Sequence, residues 1–396
     1  MLARQAAAKA AVLASLISGR LIVKSRIRHA ACHEQAEFPI LGRHHQPIPP
    51  STAGCHVNQK ISVPVATEKA IRFTRDNFVF DCLSLIYVLD EPWAENCLSA
   101  GVNAANVTFG TEQDWDIVLR NFDVGLEKIA KSPYLALARD SAEIAAANRQ
   151  GKMAVIIGTQ GSAMVDLEFH RLRTMYRLGL RYFGLAYTGP TMFADGCGET
   201  RNAGLSFAGQ ELVDACNDLG LILDLSHVGH RSREEAAARA RFPVCTHSNA
   251  YTVNRNDRNT TDETARAIRA KGGVMGICGL PKTVHPTHAT LNEMLDHADH
   301  WVNTVDAEHV GIGLDFVEAY KASNVIMPAS RLWRTRRPDI FGTVEEFHKQ
   351  DYPLGLTGIK ELPNLTQGLF DRGYDERQVA NILGGNWLRH FTEVYG

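Results

Sequence analysis

Eight short apolar runs alternate with helical patterns between about residue 77 and residue 316, and that order leaves few architectures open. The runs are NFVFDCLS from Asn77, AGVNAANVTF from Ala100, KMAVIIGTQG from Lys152 and LRYFGLAY from Leu180. LILDLSH from Leu221, PVCTHSN from Pro243, GVMGICGLP from Gly273 and HVGIGLDF from His309 complete them. Strands separated by helices pair in parallel. Eight in one stretch favour a closed, TIM-like (β/α)8 barrel over an open sheet. The fold class is therefore α/β, with the barrel over 67–396 and a C-terminal helical extension beginning near Asp375. Asp375 and Gln378 have capping-box spacing there, as do Ser232 and Glu235 earlier. Thr111 is expected to cap the helix after the second run, and Gly220 to end the helix before the fifth. Residues 317–356 show no clear periodicity; a long loop leaving a strand tip there is expected to form either a lid or a surface insertion.

Residues 1–66 differ. Met1 to His33 holds Arg and Lys but no Asp or Glu, around the apolar stretch AVLASLIS. This segment reads as an N-terminal extension, or as a targeting and linker segment. His44 and His45, in its Pro-rich part, read as solvated. Net charge is −2, which argues against a nucleic-acid partner, because backbone binding needs a basic surface. No apolar run is long enough for a membrane span. The 8 cysteines are scattered with no CxxC pair, and so read as free thiols of a reducing compartment. Localisation is therefore cytoplasmic, or exported if the basic N-terminus is a targeting segment.

In such a barrel the chemistry sits at the strand C-termini. Two neighbouring runs end there in histidine, His227 and His247, and a third ends in Asp315. Imidazole and carboxylate are the usual ligands of hydrolytic zinc. A zinc ion so held acidifies water and polarises a scissile carbonyl. Asp315 suits a general base or a partner for a substrate amine. Asp224, an odd offset before His227, reads as structural. Arg258, in the loop after His247, suits a two-pronged grip on a substrate carboxylate. Asn249 lies at the same strand end and is a second candidate for substrate contact.

DLSHVG, THSNA, the RNDRN loop, GIGLDF and the closing LPNLTQGLFDRGYDERQVANILGGNWLRHF together resemble the membrane (renal-type) dipeptidases, peptidase family M19, over residues 75–394. DGCGE resembles a bacterial branch of that family. The resemblance implies a two-zinc site that cleaves dipeptides, with His227 and His247 on one zinc. It makes Arg258 the carboxylate binder and Asp315 the acid/base for the amine proton. It also implies homodimerisation. The family's first strand carries a His-x-Asp pair for the other zinc; here Leu83 and Leu85 stand there. Gln160 replaces a bridging glutamate, a poor ligand because it brings no negative charge. Tyr187 stands where a histidine contacts the reacting oxygen, and it can still donate a hydrogen bond.

The expectation is a dipeptidase-like metallohydrolase with a depleted, single-zinc site. His227 and His247 are its metal ligands and Gln160 a weaker third. Asp315 and Tyr187 are catalytic, and Arg258, Tyr187 and Asn249 hold a small dipeptide-like substrate with a free carboxylate. Two alternatives stand beside it. One is a metal-free barrel enzyme, a lyase, isomerase or tailoring enzyme, acting on an amino-acid-like molecule. The other is a non-catalytic pseudo-dipeptidase.

Overall fold

The computed structural model describes residues 62–349 and 352–396. The expectations for the basic N-terminal segment, His44 and His45 lie outside the described residues. Nine strands form one parallel sheet: β1 Val79–Leu85, β2 Val102–Thr108, β3 Leu135–Leu137, β4 Met153–Thr159, β5 Leu180–Gly184, β6 Ile222–Asp224, β7 Pro243–Val244, β8 Met275–Ile277 and β9 Val310–Ile312. Eight of them follow the order β7-β6-β5-β4-β2-β1-β9-β8. A parallel bridge between Cys245 and Met275 brings the two ends of that path together. These eight are the eight apolar runs of the sequence, arranged as the TIM-like barrel. The ninth, β3, is too short to register as a run. It pairs with the first half of β4, on the edge whose second half takes β5.

Strands covered on both faces read as continuous apolar runs rather than as alternation, and every residue of β4 is buried. Alternate residues still divide between two cores. Phe80, Cys82, Ala104, Ala154, Ile156, Tyr182, Ile222 and Val244 pack together with Trp387 and Phe391 of the last helix, Asn386–Tyr395. Val79, Val107, Val155, Ile157, Phe183 and Leu223 pack outward with the helices. The C-terminal extension thus meets the barrel at the strand starts. The Trp387 indole N–H donates to the Ile312 carbonyl at 3.0 Å. A Cβ on Gly311 would come within 2.1 Å of that nitrogen, so this position takes only glycine. Removing a fully buried indole costs about 3–5 kcal/mol. Trp387→Ala is therefore expected to lower the unfolding free energy by that amount, seen as a fall in the urea midpoint at an unchanged slope, and a loss below about 1 kcal/mol would rule out this packing role.

Local signals held at some helix ends and shifted at others. Gly220 closes its helix in the left-handed region (φ 69°), and Asp375 with Gln378 forms a capping box. Asp114, not Thr111, caps the helix Trp115–Lys131. The helix His230–Arg239 starts ahead of Ser232. Ser232 and Glu235 instead hold down the loop after β5, accepting from Asp195 N (3.2 Å) and Leu205 N (2.7 Å). The segment without periodicity folds into helices Glu318–Ala322, Pro328–Arg336, Pro338–Phe341 and Val344–Lys349. Three are too short to show a period, and two open with proline at the first position, where its missing N–H costs nothing.

Candidate functional site

The strand ends converge on one face. Gln160 follows β4 directly, and Tyr187, His227, His247 and Asp315 stand just past β5, β6, β7 and β9. A cavity of about 730 Å³ opens there. Gln160, Tyr187, His227 and Asp315 line its floor, and Trp333, Arg334, Phe341 and Phe347 of the short helices line it from above. The segment expected to be a lid or a surface insertion does border the strand-end face.

The histidines meet. Their Nε2 atoms are 3.1 Å apart; His247 is fully buried and His227 is 5% exposed. Thr246 Oγ1 donates to Asp224 Oδ2 at 2.6 Å. It must therefore accept from the Nδ1–H of His247, also at 2.6 Å. That chain fixes the tautomer and leaves a lone pair on His247 Nε2. Asp224 also accepts from Ser226 N, Ser226 Oγ and Thr246 N. It thus ties the two histidine-bearing strand ends together and, through Thr246, stands directly behind His247. The His227 ring stacks on Tyr187 (centroids 4.2 Å apart, planes at 28°), and its Nδ1 lies 3.4 Å from the Thr188 hydroxyl.

Burial holds both imidazoles well below their usual range, and the Arg258 charge adds to this. They are neutral at pH 7, the state in which imidazole is a ligand. Burial raises the Asp315 carboxyl to about 7, against the pull of Arg258. Its backbone, at φ 56°, is held by a bond from its N–H to the Leu83 carbonyl and by Tyr352, whose hydroxyl donates to its carbonyl. Asp81 holds the same junction by accepting from Leu314 N and Ser84 Oγ.

Arg258 is 1% exposed and lies behind the cavity wall. Its Nη1 donates to the Ser226 carbonyl, and its Nε has no partner. Arg233, fully buried, donates to the carbonyls of Leu225, Ser226, Arg258 and Asn259, clamping the His227 turn to the Arg258 loop. Asn249 is not brought to the cavity wall. Its amide donates to the Cys278 carbonyl and Thr283 Oγ1 and accepts from Cys278 N, so both N–H groups are spent inside the protein. It braces the strand-end loops.

Two nitrogens bound to one zinc at about 2.0–2.1 Å in a tetrahedron stand about 3.3 Å apart, close to the observed Nε2 separation. Gln160 donates its Nε2 to Thr108 Oγ1 at 2.8 Å, which leaves its Oε1 as an oxygen donor. Among the described residues no third His, Cys, Asp or Glu joins the pair to make a metal cluster. Leu85 and Ile86 line the cavity beside β1, and the six described cysteines are buried free thiols.

Sequence reasoning missed Thr108, Glu112, Thr246 and Arg334. Thr108 and Glu112 lie at and just past the end of β2, so the strand-tip rule could have found them. Thr246 carried no signal beyond its place beside His247.

A sequence profile described as membrane dipeptidase (peptidase family M19) matches residues 81–325. Dipeptidase verJ of Clonostachys rogersoniana is 30% identical over 266 residues, 66% of this chain and 61% of that protein. Dipeptidase tcpJ of Claviceps purpurea is 27% identical over 308 residues, 76% of this chain and 64% of that protein. The chain thus spans about three fifths of the length of these relatives. Among solved structures, an amidohydrolase from Pseudomonas aeruginosa superposes with a TM-score of 0.73 at 26% identity, covering 83% of this chain and 99% of that one.

Proposed function

The chain belongs to the membrane dipeptidase family, peptidase family M19, and from that premise we propose that it hydrolyses a dipeptide or related amide with a single metal ion. One observation carries the reading: two neutral imidazoles converge at 3.1 Å beside the strand-end cavity. His227 and His247 would hold a zinc ion, with Gln160 Oε1 as a weaker third donor. Such an ion supplies Lewis acidity, lowering the pKa of water towards neutrality and polarising the scissile carbonyl. Leu83 and Leu85, where the family resemblance places a His-x-Asp pair, argue for one ion rather than two.

The chain's own residues do the rest. Asp315, poised near neutrality, takes a proton from water and passes it to the leaving amine. Burial raises the Tyr187 phenol, so it stays protonated and donates to the oxygen that gains charge. Arg258, buried with no ion pair among the described residues, contributes the positive field that draws in a substrate carboxylate.

The test is metal content with turnover. About one zinc per chain is expected, with L-alanyl-L-alanine cleavage lost to a chelator and restored by zinc. Less than about half an equivalent, with no cleavage after zinc is added, would overturn the proposal. A second reading, a metal-free lyase or isomerase, draws on the same pair, since two Nε2 atoms at 3.1 Å can share a proton instead of a metal. Full activity in chelator would select it.

A further inference from the structure

The helix Pro328–Arg336 carries a cation to the cavity that no family feature assigns, and it lies beyond the residues matched by the family profile. Among the described residues lining the cavity, Arg334 is the only lysine or arginine. Its side chain is tightly enclosed, 8% exposed. Nε donates to Ser330 Oγ at 3.3 Å, Nη1 donates to the Phe341 carbonyl, and the guanidinium lies 4.8 Å over the Phe347 ring. No hydrogen bond from Nη2 and no ion pair to Arg334 is found among the described residues. A buried guanidinium held by neutral oxygens and a ring, with an edge at a cavity, has no directly paired carboxylate of the kind that normally accompanies it, and Glu346 and Asp315 act on it only through space. Burial pulls Arg334 down to about 10, still well above neutrality, so it remains charged.

The neighbouring residue anchors the helix. The Trp333 indole N–H donates to Glu112 Oε1 at 3.2 Å. Its ring packs where a Cβ on Gly189 or Gly198 would come within 2.9 or 2.8 Å. Arg334 is therefore presented from a docked surface. The same cavity holds the carboxylates of Asp315 and Glu112, so both signs of charge are available to a zwitterion.

Resting on the dipeptide reading above, we propose that Arg334 is a substrate-binding residue that takes a carboxylate of the substrate on its cavity-facing edge. That carboxylate is either the terminal one or an acidic side chain, and the test separates the two. Wild type, Arg334→Gln and Arg334→Lys are compared on L-alanyl-L-alanine, its C-terminal amide and L-alanyl-L-glutamate. Binding of a phosphinate dipeptide isostere is measured by calorimetry, and thermal unfolding confirms that each variant folds. A charge-assisted pair is worth about 10- to 100-fold in affinity. The Gln variant is expected to lose that factor in KM and in isostere binding, with partial recovery by Lys. A penalty on the free acid but not on the amide identifies the terminal carboxylate. A penalty confined to the glutamate substrate identifies the side-chain acid. Equal penalties on acid and amide, or no penalty on any of the three substrates, overturn the assignment while leaving hydrolysis intact. If wild type binds the isostere through Arg334 but cleaves nothing, the hydrolase reading fails and the assignment stands. If it neither binds nor cleaves, both fail.

Discussion

His227→Ala is expected to lower kcat/KM for dipeptide cleavage by about 10³-fold or more, with loss of bound zinc in the same step. The geometry makes the effect steep. The two imidazoles are the convergent nitrogen donors on this face, with Nε2 atoms 3.1 Å apart, and among the described residues no third strong ligand stands by them. A single remaining histidine cannot hold zinc against water at ordinary concentrations. His247→Ala should match it, because the lock on His247 through Thr246 and Asp224 is then spent on nothing. Each variant leaves a small cavity costing about 2–3 kcal/mol, so circular dichroism should confirm a folded barrel before activity is read. Metal content by elemental analysis and kcat/KM by amine release decide the matter. A variant that kept a tenth of the activity and its metal would show that the pair is structural.

The sequence made the barrel legible because each of its eight strands is apolar and punctuated by glycine, proline or a cap. Strand β3 escaped, since three residues carry no period and it pairs only along half an edge. The histidine pair was legible because strand order placed the two tips side by side, and β6 and β7 do pair. Asn249 shows where that logic ends. Its position near a strand tip says nothing of its side chain, which the Cys278 backbone and the Thr283 hydroxyl consume. Arg334 shows the opposite failure. In sequence it is one of several arginines in an aperiodic segment. Only the packing of Trp333 against Glu112 and two glycines brings its helix to the cavity. Local pattern reports which strand bears a residue, while long-range packing decides what faces the substrate.

Asp315→Asn is expected to give the second large effect, with two opposite readouts. Burial raises the Asp315 carboxyl to about 7, so in wild type the ionised base accumulates only as pH rises through that value. The rate of hydrolysis should climb from about pH 5.5 to about 8 along a limb with a midpoint near 7. Asparagine cannot accept the proton, so kcat should fall by about 10²- to 10³-fold and the limb should disappear. Stability should move the other way. The folded pKa lies above the ordinary carboxylate value, so folding favours the protonated form. Relative to the ionised state, that advantage is complete below about pH 4 and is lost as pH rises through 7. At pH 8 wild type therefore carries a buried carboxylate that costs on the order of 2–4 kcal/mol, the lower figure allowing for water in the cavity. The asparagine amide that replaces it carries no charge at any pH. The variant should unfold several degrees above wild type at pH 8, with the gap closing towards pH 5, as calorimetry across that range would show. A variant that lost activity without gaining stability at pH 8 would mean that Arg258 and Arg334 already neutralise this carboxylate, leaving it an ordinary ionised acid rather than the base of the reaction.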